Sequence, residues 1–79
     1  MKTDLEIDAL GLLCPLPVLR LRKRMAALAA DSTVCLLADD PAAAIDVPHF
    51  CQESGHTFLG AEARGAAGAD ATAYYVRKR

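Results

Sequence analysis

A chain of 79 residues has room for one modest core and no second domain, and its 53% hydrophobic and 24% charged residues suit a globular protein and argue against a disordered one. A formal net charge of −1 supplies no global pull toward nucleic acid or membrane, so any such attraction must come from a local patch. No apolar run is long enough to span a bilayer, and "MKTDLEID" is not a secretory leader, so the protein is expected in the cytoplasm and off the membrane.

"TDLEIDA" alternates Leu5, Ile7 and Ala9 with Asp4, Glu6 and Asp8, the period of a strand with one buried face. A helix is expected from about Pro15 through Leu28. "TVCLLA", Thr33 to Ala38, is a β-branched apolar run bounded by "ADS" and "DDP", and predicts a second, more central strand. "DDPAAAIDVPHFCQESG" offers two helix starts, Asp40 before Pro41 and Asp46 two residues before Pro48, and one stop at Gly55. The expectation there is a broken or kinked second helix. "HTFLGAEAR" and "DATAYYVRKR" flank "GAAGA" as a hairpin whose tip, within 60–70, has no evident use. The order βαβαββ, with right-handed crossovers, predicts an α/β (α+β) two-layer sandwich over 1–79, a four-stranded mixed sheet with both helices on one face.

"LGLLCPLPVLRLRKRM" sets a cysteine directly before two prolines at the head of the first helix. The first helical turn has N–H groups without intrahelical acceptors, so Pro15 and Pro17 forfeit no bond there and fix φ in advance as a helix-capping motif. A proline also pushes its predecessor toward extended geometry, which makes Cys14 the expected N-cap. Its sulfur would then lie near the positive helix end, with Arg20 close by, and the thiol should be more acidic than usual. This describes a nucleophile on a rigid vertex with no histidine base. The alternative is a small packed residue at a strand-to-helix corner, and the two prolines favour the nucleophile. Cys35, inside the strand, and Cys51, on the second helix, read as core.

Three widely spaced cysteines fit neither a disulfide framework nor a CxxC site. His49 and His56 lack partners at ligand spacing and are taken as structural or solvated, so no metal and no other cofactor is expected.

At 100° per residue Val18, Leu21, Met25 and Leu28 share the core side of the first helix. Leu16, Leu19, Arg20 and Lys23 form a second, outward stripe beginning beside Cys14, an apolar anchor with a charged rim that is expected to bind partners. Arg22 and Arg24 flank the core stripe and should matter less. "RLRKR" and the C-terminal "RKR" admit an alternative, a non-catalytic regulatory module binding RNA or an acidic protein through the basic first helix. Stacking platforms for RNA are scarce, with two phenylalanines, two tyrosines and no tryptophan.

"LGLLCPLPVLRLRK" resembles the CPxP signature of the TusA/SirA-like sulfur-carrier family. "ADDPAAAIDVPHFC" matches that family's second stretch, with Asp39, Asp40, Pro41, Asp46, Pro48 and Phe50 in place. The resemblance covers nearly the whole chain. It implies a βαβαββ sandwich like the C-terminal domain of a bacterial initiation factor, and a sulfurtransferase that works as a monomeric protein persulfide carrier. Catalytic Cys14 would take sulfane sulfur from a cysteine desulfurase or other persulfide donor and relay it to an acceptor protein, without stable direct binding of nucleic acid. In the best-known branch the sulfur ends in 2-thiouridine of tRNA; cofactor biosynthesis and sulfur oxidation are other destinations. Carriers of the tRNA branch have a basic residue before the cysteine and a glutamate between the prolines, where this chain has Leu13 and Leu16.

Overall fold

A computed structural model of the protein describes residues 2–64 and 71–79. The elements follow in the order β1 (Leu5–Asp8), α1 (Leu16–Met25), β2 (Thr33–Ala38), α2 (Ala43–Ser54), β3 (Thr57–Ala63) and β4 (Thr72–Arg77). The strands form one sheet in the order β1-β2-β4-β3, so the last strand in sequence is an interior one. β1 lies parallel to β2, with Ile7 opposite Leu36, while β4 is antiparallel to both β2 and β3. The two-layer α+β sandwich expected from the sequence is the architecture found.

Alternation along β2 and β4 sorts their side chains between two faces. Val34, Leu36 and Ala38 of β2 and Tyr74 and Val76 of β4 join Ile7, Leu21, Met25, Val47, Phe50 and Cys51 in a single buried cluster. Both helices therefore cover the same face of the sheet. The residues between, Cys35, Ala73 and Tyr75, make a second, smaller apolar cluster on the other face, with Leu37 and Leu59 packed against it. Leu59 reaches that side at a register irregularity in β3, where Phe58 pairs with Val76 but Gly60 already pairs with Tyr75. The Tyr75 hydroxyl accepts a hydrogen bond from the Arg64 guanidinium at 2.8 Å.

Helix α1 ends at Met25, a turn before Leu28, yet Leu28 still packs on the core through the turn that follows. Val18, Leu21, Met25 and Leu28 thus all meet the core as their spacing requires, and Pro17 joins them as a buried residue. The Lys78 ammonium donates to the carbonyls of Leu28 at 2.6 Å and Ala26 at 3.4 Å, placing a cation where the helix ends in unpaired acceptors.

The second helix differs from the expectation. It runs without a break from Ala43 to Ser54 and carries Pro48 inside, so Asp46 does not start a helix but sits in the first turn of one. A proline there removes one donor, and the packing of Val47, Phe50 and Cys51 on the sheet holds the helix through it. Gly55 stops α2 in a left-handed conformation, φ 80°, and the Arg79 side chain lies where a Cβ would project. The hairpin tip at 65–70 lies outside the described residues. Among the described residues no helix is long and apolar enough to cross a membrane, and no group of three or more His, Cys, Asp or Glu side chains is arranged to hold a metal ion.

Candidate active site

Because β1 and β2 are parallel neighbours, the loops leaving their C-terminal ends meet at one edge of the sheet. One is the stretch from Ala9 to Pro15, the other the stretch from Asp39 to Ala42. Carboxylates of the second loop fasten the backbone of the first. Asp39 accepts hydrogen bonds from the Gly11 N–H at 3.0 and 3.1 Å, and Gly11 has the positive φ, 77°, that glycine adopts without strain. Asp40 accepts from the N–H of Cys14 with one oxygen and from the N–H of Ala42 with the other. Those two bonds hold the Asp40 carboxyl below the usual carboxylate range. The Cys14–Pro15 peptide bond is cis.

Cys14 is exposed, whereas Cys35 and Cys51 are buried. Its Sγ donates to Oδ2 of Asp46, one turn into α2, at 2.8 Å. Cys14, Asp46 and Pro15 stand at one end of an open groove between the two helices, lined further along by Leu19, Arg22, Phe50, His49 and Glu53. The Arg22 guanidinium lies 5.6 Å from the centre of the Phe50 ring, and His49 Nε2 is 3.0 Å from Glu53.

This geometry corrects the expected role of the helix end. Pro15, not Cys14, is the N-cap, and no side chain caps the helix. Cys14 stands one residue further out. Pro17 supplies no N–H, and the N–H of Leu16 turns back to the Leu13 carbonyl at 2.8 Å, so the head of α1 offers few free donors to a thiolate. The Arg20 guanidinium reaches the Asp8 carbonyl at 2.7 Å, not the sulfur. The charges beside Sγ are therefore negative. The hydrogen bond to Asp46, then desolvation, then the repulsion of Asp46 and Asp40 raise the Cys14 pKa above the ordinary thiol value, the reverse of the expected direction. At neutral pH the resting group is a thiol.

The outward stripe of α1 lies where the periodicity put it. Leu16 and Leu19 are 48% and 47% exposed and, with Arg20 and Lys23, line a second open groove that also includes Leu12 and Arg24. Leu19 borders both grooves. Arg22, expected to matter less, lines the groove of Cys14 itself. Leu13, 72% exposed, and Leu10 extend the apolar border on the loop that presents the cysteine.

Sequence reasoning took Asp40 and Asp46 as helix starts and missed them as neighbours of the sulfur. A signal for them was available: two parallel strands side by side bring their C-terminal loops together, so acids following the second strand belong beside the cysteine following the first.

The family model described as Sulfurtransferase TusA matches residues 5–78. Among solved structures, the fold is similar to the crystal structure of the SirA-like protein from Desulfitobacterium hafniense, with a TM-score of 0.73 and 26% sequence identity over 92% of this chain and 95% of that one. The CPLP vertex, the acids that hold it and the βαβαββ sandwich behind them fall within the matched residues, and the chain belongs to the TusA sulfurtransferase family.

Proposed function

We propose that the protein is a persulfide relay that accepts sulfane sulfur on Cys14 from a cysteine desulfurase or other persulfide donor and hands it to an acceptor protein. The observation that carries this reading is that Cys14 alone of the three cysteines is exposed, on a clamped vertex at the end of an open groove. In loading, the Cys14 sulfur attacks the outer sulfur of the donor persulfide, the donor S–S bond breaks, and the donor leaves as a thiol. Cys14 is then the persulfide. Delivery repeats the exchange with a thiol of the acceptor as attacking group, so no external oxidant or reductant is consumed. Cys35 and Cys51 are buried, so neither is placed to resolve the persulfide into an internal disulfide.

Leu16, Leu19, Arg20 and Lys23 are the proposed docking stripe, and Pro15 and Pro17 the stiff base from which the cysteine projects. Synthesis of 2-thiouridine in tRNA is one destination for the sulfur, and the acceptor decides it; a mixed disulfide trapped on Cys14 identifies that acceptor. The alternative, an RNA-binding basic helix, is disfavoured because Arg20 is tied to the Asp8 carbonyl and Arg22 lies over Phe50.

Incubation with a cysteine desulfurase and cysteine should add the mass of one sulfur atom, lost on reduction. Cys14→Ser should abolish the addition, while Cys35→Ser and Cys51→Ser keep it wherever they fold. Loading that persists in Cys14→Ser refutes the relay.

A further inference from the structure

Cys14 is built as a thiol, yet sulfur transfer needs a thiolate at the moment of attack. The proton must go somewhere as the S–S bond forms. Among the described residues no histidine is hydrogen-bonded to the sulfur, and the α1 head offers few donors to stabilise a free thiolate. Among the described residues the acceptor on Sγ is the carboxylate of Asp46, at 2.8 Å, within the range over which a positioned base takes a proton directly. We infer that Asp46 is a catalytic residue of sulfur loading: it holds the Cys14 proton at rest, takes it as Sγ attacks the sulfane sulfur, and returns it to the departing donor sulfur. This role rests on Cys14 as the site of loading.

The step balances. The bond from Cys14 Sγ to the outer sulfur forms as the donor S–S bond breaks, and the bonding pair leaves with the inner donor sulfur. The proton passes from Sγ to Oδ2 and then to that leaving thiolate, so Asp46 is again a carboxylate at the end and the net charge of the site is unchanged. Three features suit Asp46 to the task. It lies in the first turn of α2, a rigid element whose Val47 and Phe50 are buried, so its position is set by the core. The Cys14 backbone is tied to Asp40 on the loop that leads into the same helix, so sulfur and carboxylate are fixed from one side. Among the described residues no cation pairs with Asp46, leaving its oxygen for the thiol.

The other charged groups facing this groove are Asp40 from the loop, Arg22 from α1, and His49 and Glu53 from α2. Arg22 is engaged with the Phe50 ring and His49 with Glu53. A base that also suppresses the free thiolate predicts an unusual pair of effects. Removing its charge should make Cys14 more reactive to a simple electrophile and less reactive in sulfur loading.

The test uses the full chain, with glutathione persulfide as donor so that protein docking does not enter, and iodoacetamide as the simple electrophile. In Asp46→Asn, alkylation of Cys14 near pH 7 should rise several-fold, while loading falls about 10²-fold, the lower end of what a positioned general base supplies. Wild-type loading should change little between about pH 6 and 8, because proton transfer to Asp46 does not require the free thiolate to form first, whereas loading of the variant should climb about tenfold per pH unit with its thiolate. Asp46→Glu, which keeps the acid, should recover part of the wild-type rate and its flat profile. Faster alkylation accompanied by faster loading in Asp46→Asn would reduce Asp46 to an inhibitory charge and overturn the proposal. Should the variant not fold, the wild-type profile decides alone, since loading that climbs with pH in step with alkylation overturns the role as well. Loss of loading in Cys14→Ser is the separate control on the relay, and it can hold whether or not Asp46 takes the proton.

Discussion

Cys14, on the loop just before α1, and Cys51, inside α2, are both pushed up in pKa, but by opposite kinds of surroundings. Burial among apolar side chains raises Cys51 to about 11, whereas Cys14, exposed, is raised first by its hydrogen bond to Asp46. The first cause is permanent as long as the core exists. The second depends on one polar contact at an open groove, which a docking protein can alter. The difference teaches that a resting thiol does not by itself mark an inert cysteine; what matters is whether the cause of its protonation can be removed without unfolding.

The largest effect should come from attacking the packing that makes Cys51 permanent. Leu21→Ala opens a cavity in the shared core and should cost about 2–5 kcal/mol in urea unfolding, a large part of what a small domain has. Cys51 should then alkylate at a rate set by opening of the fold. In the wild type, by contrast, iodoacetamide under native conditions should label Cys14 alone, more slowly than free cysteine at the same pH, with Cys35 and Cys51 labelled only in denaturant. Native labelling of Cys51 as fast as Cys14 would erase the contrast.

The next test works on the open side. Leu19→Ser with Lys23→Glu should slow loading from a cysteine desulfurase and change its salt dependence while stability stays within about 0.5 kcal/mol of wild type, as for other surface changes. Loading at the wild-type rate at every salt concentration would move donor docking off this stripe.

A smaller effect lies in the alkaline limb of stability. Cys51 binds its proton more tightly folded than unfolded, so its contribution is present below the unfolded thiol pKa of about 8.5 and is lost as pH rises through its folded value of about 11. Cys51→Ala should flatten the fall of melting temperature across that window, and an unchanged slope would show that the thiol does not report burial. The smallest belongs to Asp40. Its lowered pKa means stability that is present above the unfolded carboxylate value and is lost as pH falls through the folded one. Asp40→Asn should blunt that acid limb slightly and, by removing a negative charge beside Sγ, move the pH dependence of Cys14 labelling slightly toward lower pH.

Strand periods, the apolar runs and the helical spacing of Val18, Leu21 and Met25 made the architecture and the two faces of α1 legible, because burial leaves a repeating mark on sequence. The cysteine was legible as well, through the prolines around it. Its electrostatics were not. Asp46 lies 32 residues from Cys14, and its nearness follows only from the parallel pairing of β1 with β2, which no local pattern expresses. Pro48 misled for a related reason: a proline reads locally as a break, and tertiary packing of α2 outweighed it.

The interior position of β4 has a consequence for synthesis. β1, β2 and β3 leave the ribosome before the strand that joins β2 to β3, so the sheet exists only as a parallel pair and a detached strand until β4 arrives. Tyr74 and Val76, which share the buried cluster with Val47, Phe50 and Cys51 of α2, arrive in that last strand. A nascent chain thus exposes its cysteine before β4 completes the sheet on which α2 rests, and the hydrogen bond from the sulfur to Asp46 is among the last contacts of the fold to form.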